Sequence, residues 1–395
     1  MGLIERNKNA ISLLVFLTIS VTINCVSFDI TKYGAKHDSD VTQAIANAWK
    51  DACAAPTRSK VYIPKGTFKL SKAFLAGPCK NPIGFEIAGT LQAPSKANGF
   101  QEGQGWITFE KINQLTIYGG GTFDGNGESS WGQHCKRTQY CSKLPVNIRM
   151  NYLNDTVIKS IRSVDSKQFH FAIIGAVNLT FKKVKIIAPK DSWTTDGIHL
   201  GRSSNVTITD SVIQTGDDCI SIGDGTRDLE ITKVVCGPGH GISIGSLGKY
   251  ENEQPVEGII VKNCTFKGTS NGVRIKTWQA SREGIARDMH FSDLIMDNVE
   301  TPISIDQEYC PWGVCSQFKG KPSKIKLSDI SFKNIKGTCS TPVGIKLVCG
   351  GYGCKDVKLS GIDLKYNGKD GKLTSVCKNV KPSVSGYMNP SACSH

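Results

Sequence analysis

Two interleaved series of short stretches recur along this chain, and they constrain its fold more than any other feature. The first comprises "LTIYGGGT" from Leu115, "LTFKKVKI" from Leu179, "VTITDSVI" from Val206 and "LEITKVVC" from Leu229, then "IIVKNCTF" from Ile259, "MHFSDLIM" from Met289, "IKLSDISF" from Ile325 and "VKLSGIDL" from Val357. Most carry apolar residues at the first, third, sixth and eighth positions. Each half alternates with period two, as a half-buried strand does, and the one-residue slip between halves marks a bend. The second series falls between these stretches: "DGIHL" from Asp196, "DCISI" from Asp218, "HGISI" from His240, "NGVRI" from Asn271 and "TPISI" from Thr301. Its third and fifth positions are Ile or Val, apart from Leu200. A unit of this size cannot close a core alone and must stack on its neighbours. The tightest units, from 196 to 218 and from 218 to 240, have a period in the twenties. Short strands at that period predict an all-β, single-domain right-handed parallel β-helix. A leucine-rich repeat would need Leu and Asn at positions where this chain lacks them, and a sandwich would not hold one register over so many units.

Stacking has a chemical consequence. Equivalent positions on successive rungs lie about 4.8 Å apart, so Asp196, Asp218 and His240 form one column, with Asp217 beside Asp218. In "NGVRIK" the alternation points Val273 and Ile275 inward, which sends Arg274 and Lys276 to the outer face. Taken singly, each feature has an ordinary explanation: an Asp-Asp pair is a solvated turn, a His between glycines fills a tight turn, and alternating cations line a strand. In shared register they predict a site of three carboxylates, an imidazole and two cations. Carboxylates this crowded cannot all ionise cheaply, so a proton is expected to be held among them.

The N-terminus reads as a secretion signal, residues 1–27, ahead of a domain spanning 28–395. Arg6 and Lys8 precede the apolar run "ISLLVFLTISV", and Cys25, Val26 and Ser27 offer small residues before Phe28. That run falls short of the ~20 residues needed to cross a bilayer, so no membrane span is expected in the mature chain. Removing the segment takes one of the 15 cysteines with it and leaves an even number. With export, this points to disulfides rather than metal or redox chemistry. Short separations mark Cys135/Cys141, Cys310/Cys315 and Cys349/Cys354 as loop staples, and Cys219/Cys236 as a structural bridge beside the acids. Sequons at Asn154, Asn178, Asn205 and Asn263 fit a secreted glycoprotein. The net charge of +14 suits an acidic polysaccharide, an anionic membrane or a surface that only aids solubility. No Lys/Arg run interleaved with aromatics argues for nucleic acid.

These motifs resemble the plant polygalacturonases of glycoside hydrolase family 28, and among them the pollen-type exopolygalacturonases. The resemblance runs from "FDITKYGA" at Phe28 almost to the C-terminus. "TTD" at Thr194–Asp196 stands for the family's Asn-Thr-Asp, while "GDD" at Gly216–Asp218, "GHG" at Gly239–Gly241 and "RIK" at Arg274–Lys276 are intact, and "DQEYC" supplies the family tyrosine as Tyr309. The resemblance implies inverting hydrolysis of α-1,4-galacturonosyl bonds in pectin or polygalacturonic acid by a secreted, cell-wall monomer, exo-acting, with no cofactor and no metal. Asp217 would be the general acid. Asp196 and Asp218 would hold and deprotonate water, with Asp217 and Asp196, one rung apart, providing the roughly 6.5–9.5 Å carboxyl separation an inverting pair requires. His240 would tune the acid. Arg274 and Lys276 would bind the uronate carboxylate, and Thr194 and Tyr309 would contact sugar, with packing of Tyr309 against a disulfide an equal alternative. Thr194 lacks the amide of the family Asn, and Trp193 replaces a proline. Two other readings stay open: a catalytically impaired pectin-binding protein, or a calcium-dependent pectate lyase.

Overall fold

The computed structural model describes residues 25–101, 103–131, 144–311, 315 and 320–393. The Cys135/Cys141 pair and most of the 1–27 segment lie outside them. Among the described residues the chain winds into two parallel sheets. One has eleven strands and runs from Ala73–Ala76 at the N-terminal end to Thr374–Lys378 at the other. The second, twenty-one-stranded sheet carries the remaining strands of each turn. Every strand pairs in parallel with the equivalent strand of the next turn, as in Phe171–Ile174, Ile198–Gly201, Ile220–Ile222 and Ile242–Leu247. This is a parallel β-helix, right-handed as crossovers between parallel strands are.

The inward positions stack into continuous apolar columns. Ile148, Phe171, Ile198, Ile220, Ile242, Val273, Ile303 and Ile345 occupy one register position on successive rungs, and all are fully buried. Burying each such side chain contributes about 1.5–3 kcal/mol. The bend between the halves of the first repeat series also has one cause. Its fifth position adopts a left-handed backbone at Lys183, Asp210, Lys233, Asn263 and Asp293. The stretch from Ile325 is offset by half a unit, since Met289 pairs with Ile330, so the bend matching Asp293 falls at Asn334. Asn and Asp tolerate that conformation well, and the lysines adopt it under the constraint of the rungs on either side. Where the sixth position is polar, as at Ser211, its hydroxyl accepts from the Val184 backbone N–H and donates to the Thr209 carbonyl, so the buried group is satisfied.

The repeat pattern gives no sign of one element. Thr42–Ala54 is an α-helix that packs on the first strands and buries Ala44, Ile45, Ala48, Trp49 and Ala52. Trp49 Nε1 donates to the Ala76 carbonyl at 3.0 Å, and Cys53–Cys79 ties the helix end to the following turn. Cys219–Cys236, Cys310–Cys315 and Cys349–Cys354 are bonded as their spacing suggested, and Cys377–Cys393 closes the C-terminal end. The even cysteine number does not mean complete pairing, however. Cys264 and Cys339 are buried thiols, and burial pushes both up to about 11. They serve as small apolar core residues. No helix among the described residues is long and apolar enough to cross a membrane.

Shortening one residue of the Ile column should open a cavity that the rungs above and below cannot close. Ile220→Ala is expected to cost about 2–5 kcal/mol of stability, read as a lowered urea midpoint.

Candidate active site

The register that stacks Ile198, Ile220 and Ile242 also aligns the residues two places before them. Asp196, Asp218 and His240 therefore form a column, held by Gly197 N–H donating to the Asp218 carbonyl at 2.9 Å and Cys219 N–H to the Gly241 carbonyl at 2.8 Å. His240 N–H donates to the Asp217 carbonyl at 2.8 Å, which brings Asp217 beside the imidazole. Arg274 and Lys276 alternate with fully buried Val273 and Ile275, so both reach the outer face as the alternation requires.

Asp218 is only 2% exposed yet carries two ion pairs, the most buried among the described residues. Oδ1 accepts from Arg274 Nη2 at 3.0 Å and from Ser243 Oγ at 2.7 Å, and Oδ2 accepts from Lys276 Nζ at 2.7 Å. Burial opposes its ionisation, but Lys276, Arg274 and His240 outweigh it and hold the carboxyl far below the usual range. Asp196 is 5% exposed and behaves in the opposite sense. Burial first, then the charges of Asp217 and Asp218, raise it well above the usual carboxylate value, against the bond from Ser221 and the charge of Lys276. Burial and crowding thus favour the protonated form of Asp196 over that of Asp218.

Asp217 faces the cleft, its side chain 28% exposed. Its Oδ1 accepts from His240 Nδ1 at 2.7 Å and from the Asp218 N–H at 2.8 Å. Tyr309 lies over the cations, its ring centre 5.8 Å from Arg274 Cζ and 5.4 Å from Lys276 Nζ, with Trp278 edge-on at 5.9 Å. It therefore packs on the two cations as well as preceding the Cys310–Cys315 bond. Thr194 has a buried Oγ1 with no protein partner. Its neighbour Thr195 shapes the loop: Oγ1 accepts from Gly216 N–H at 3.0 Å and donates to the Ser192 carbonyl at 2.8 Å.

Three polar residues of the site are not marked by the motifs. Ser221 Oγ donates to Asp196 Oδ2 at 2.5 Å, and His199 Nδ1 lies 2.8 Å from the same hydroxyl. Because the serine proton is given to Asp196, His199 must donate from Nδ1, which fixes its tautomer. Burial lowers His199 to about 4, so it is neutral. On the next rung Ser243 has the same role, donating to Asp218 while accepting from Arg274 Nε at 3.2 Å. His199, Ser221, Ser243 and Arg274 share one register column, so the available signal is the polar fourth position of "DGIHL", "DCISI" and "HGISI". Beyond His199 a cavity of about 270 Å³ continues along the sheet, bordered by Arg149, Phe169 and Asp224.

Ligand atoms of Asp217, Asp218 and His240 lie within 4.8 Å of one another, as a metal site would require. Both oxygens of Asp218 are already engaged by Arg274, Lys276 and Ser243, and Asp217 Oδ1 is engaged with His240 Nδ1. Two fixed cations at the same carboxylate also oppose a third positive charge. An exposed set, Asp288, His290 and Asp329, lies on the other sheet.

A parallel β-helix with clustered acids and two cations on one sheet has the equipment of a solenoid hydrolase. Residues 53–393 match the model of glycosyl hydrolases family 28, and the chain belongs to that family. It is therefore a glycoside hydrolase. It is 49% identical over 387 residues to a polygalacturonase of Gossypium hirsutum, covering 97% of this chain and 94% of that protein. To an exopolygalacturonase of Oenothera organensis it is 51% identical over 358 residues, covering 90% and 98%. Among solved structures, the fold matches an endo-xylogalacturonan hydrolase from Aspergillus tubingensis with a TM-score of 0.76 at 23% identity, covering 92% of this chain and 100% of that one. A polygalacturonase from Erwinia carotovora ssp. carotovora matches with a TM-score of 0.67 at 25% identity, covering 88% and 95%.

The electrostatics of the acid pair can be checked without substrate. In a carbon-13 titration the Asp196 carboxyl is expected to take its proton above the ordinary Asp value of about 3.9. Ser221→Ala removes a bond to the ionised form, so it should move that titration higher still. A shift downward, or none, would contradict the network.

Proposed function

We infer that this glycoside hydrolase is a polygalacturonase, cleaving α-1,4-galacturonosyl bonds of pectin with inversion and releasing galacturonate from chain ends. The observation that carries this reading is the pairing of a raised carboxyl, Asp196, with a pinned carboxylate, Asp218, beside cations suited to a uronate. The names of the relatives from Gossypium hirsutum and Oenothera organensis support the substrate, and the second of these supports exo-action.

Asp217, the acid most open to the cleft, gives its proton to the glycosidic oxygen. Asp196 and Asp218 hold the attacking water, and Asp196 accepts its proton. The resting site keeps its single proton on Asp196, whereas the productive form keeps it on Asp217. The two forms differ only in where that proton sits, so His240 and Ser221, which bond the two acids, set the balance between them. The proton that Asp196 and Asp217 share is lost as pH rises through the raised value of Asp196, Asp217 then has none to give, and the rate falls on that alkaline side. Arg274, whose Nε and Nη2 are held by Ser243 and Asp218, offers its remaining N–H groups to the uronate carboxylate with Lys276 beside it, Tyr309 covers both, and the unpartnered Thr194 hydroxyl turns to the sugar.

Export follows from the N-terminal segment, with residues 1–27 removed and the enzyme acting as a monomer in the cell wall. The four sequon asparagines are exposed, which suits glycosylation.

Asp217→Asn keeps the shape of the site but removes the proton donor. It should lower kcat by about 10²–10⁴ while KM changes little. Wild-type protein acting on polygalacturonate should release monomeric galacturonate from the earliest times, resolved by anion-exchange chromatography. An early ladder of oligomers would overturn exo-action. Binding with no reducing sugar released would favour the pectin-binding reading, and chelator-sensitive product absorbing in the ultraviolet would favour the lyase.

A further inference from the structure

The acid column uses both of its cations internally. Elsewhere the chain displays cations with no such use. Lys159 on the strand Asn154–Lys159 stacks on Lys182 of the strand Val177–Lys182, and Arg162 stacks on Lys185 across the bend. All four are exposed, as is Lys183 between the two pairs. None of the five makes an ion pair among the described residues, whereas Lys60, Arg202, Lys262 and Arg287 do. Like charges at neighbouring register positions, about 4.8 Å apart, repel one another. The acids nearby are occupied or off to one side: Glu86 accepts from Lys60, Asp155 accepts from Asn178, and Asp210 accepts from Thr209 in the turn next to Lys183.

Lys159 also borders a groove of about 420 Å³ on the twenty-one-stranded sheet, on strands that carry none of the acid column. Gly84, Thr116 and Tyr118 line it together with three cations, Arg58, Lys60 and Lys159, and one acid, Asp155, which accepts from Asn178. Gly84 is what keeps it open: a Cβ there would lie 3.0 Å from Lys60 Cβ and 3.4 Å from the Tyr118 ring. Lys159 Nζ sits 5.9 Å from the Tyr118 ring centre, so an aromatic surface and a cation face the same space. Cys25 borders one end and belongs to the segment removed on export.

We propose that this groove and the cationic ridge continuing from it form a second binding surface, which takes a stretch of demethylated galacturonan apart from the chain being cleaved. The proposal rests on the galacturonan reading of the catalytic site and extends it. A polymer with a carboxylate on every sugar suits a cluster of five cations spread over two adjacent rungs, and the Tyr118 ring offers a sugar face a flat apolar contact. Binding there holds the enzyme on the wall polymer while the cleft searches for chain ends. An interaction of exposed charges of this kind weakens steeply with salt.

The triple variant Lys159→Gln, Lys182→Gln, Lys185→Gln tests it, since none of these residues belongs to the catalytic cleft. Wild-type and variant protein are eluted from immobilised polygalacturonate with sodium chloride, and both are assayed on long polygalacturonate and on trigalacturonate. The variant should elute at clearly lower salt and lose about tenfold in kcat/KM on the polymer at low ionic strength. Its kcat/KM on trigalacturonate, too short to engage both surfaces at once, should stay within about twofold. Replacing the same three positions with Arg, Arg and Arg should restore retention. Elution at wild-type salt would overturn the proposal, as would an equal loss on trimer and polymer, or stronger ridge-dependent binding to phosphatidylserine vesicles than to polygalacturonate. Retention on the matrix requires no hydrolysis. A wild-type protein that binds polygalacturonate through the ridge but cleaves neither substrate would refute the catalytic reading alone.

Discussion

The parallel register between Ile198, Ile220 and Ile242 is the constraint on which both stability and chemistry depend. A side chain facing inward at one position fixes the direction of its neighbours. A slip of one residue in any of these strands would therefore expose the isoleucine column and turn the polar column of His199, Ser221 and Ser243 into the core. The acids are less free still. They sit at the entry to each strand, where the backbone bonds of Gly197, Cys219 and His240 link one rung to the next. The Cys219–Cys236 bond anchors the middle of that column to the following turn. Catalytic geometry is in this sense a by-product of core packing, and the fold keeps the acids adjacent for as long as the hydrophobic columns stay in line.

Within that frame the site sorts its acids by what surrounds each of them. Asp196 and Asp218 are both nearly inaccessible, so burial alone would raise both. What separates them is the reach of Arg274 and Lys276, which end at Asp218 and leave Asp196 with a serine. A buried ion pair of this kind adds little net stability, since desolvation offsets most of the attraction. Removing one partner is far more damaging, because the remaining charge is left uncompensated. The arrangement therefore makes sense as a device for placing charge, and Ser243, bridging Arg274 to Asp218, helps keep that charge in one orientation.

Much of this was legible in the sequence because a β-helix writes its geometry locally. Inward and outward directions follow from period two, so the burial of Val273 and Ile275 and the outward reach of Arg274 and Lys276 could be read from four consecutive residues. The column of Asp196, Asp218 and His240 followed from equal spacing. What was not legible depended on single contacts rather than on repetition. The helix Thr42–Ala54 occurs once and has no repeat to betray it. Ser221, Ser243 and His199 look like any solvated strand face until the acids above them are placed. Cys264 and Cys339 are core residues in a chain whose even cysteine number suggested pairing. Tyr309 reaches the cations because the strand Thr301–Tyr309 shifts register against Lys276 and Trp278, and strict alternation gives no warning of that irregularity.

The same stacking that builds the site also explains why charge accumulates elsewhere. Any residue type repeated at one position of the unit becomes a ladder, so a solenoid either alternates its charges between rungs or carries a continuous line of one sign. The cleft follows the first course: Asp218 lies among Arg274, Lys276 and His240, and the charges close on themselves. Where Lys159 and Arg162 of one rung meet Lys182 and Lys185 of the next, the second course holds over two rungs, and that charge is left to the solvent. Repulsion along such a line is tolerated because each side chain is long, mobile and hydrated, but it is not relieved within the protein. Relief has to come from an ion or a polymer outside it. A chain that already presents one face to a polyanion meets that polymer at high local concentration, so its own substrate is the counterion nearest at hand.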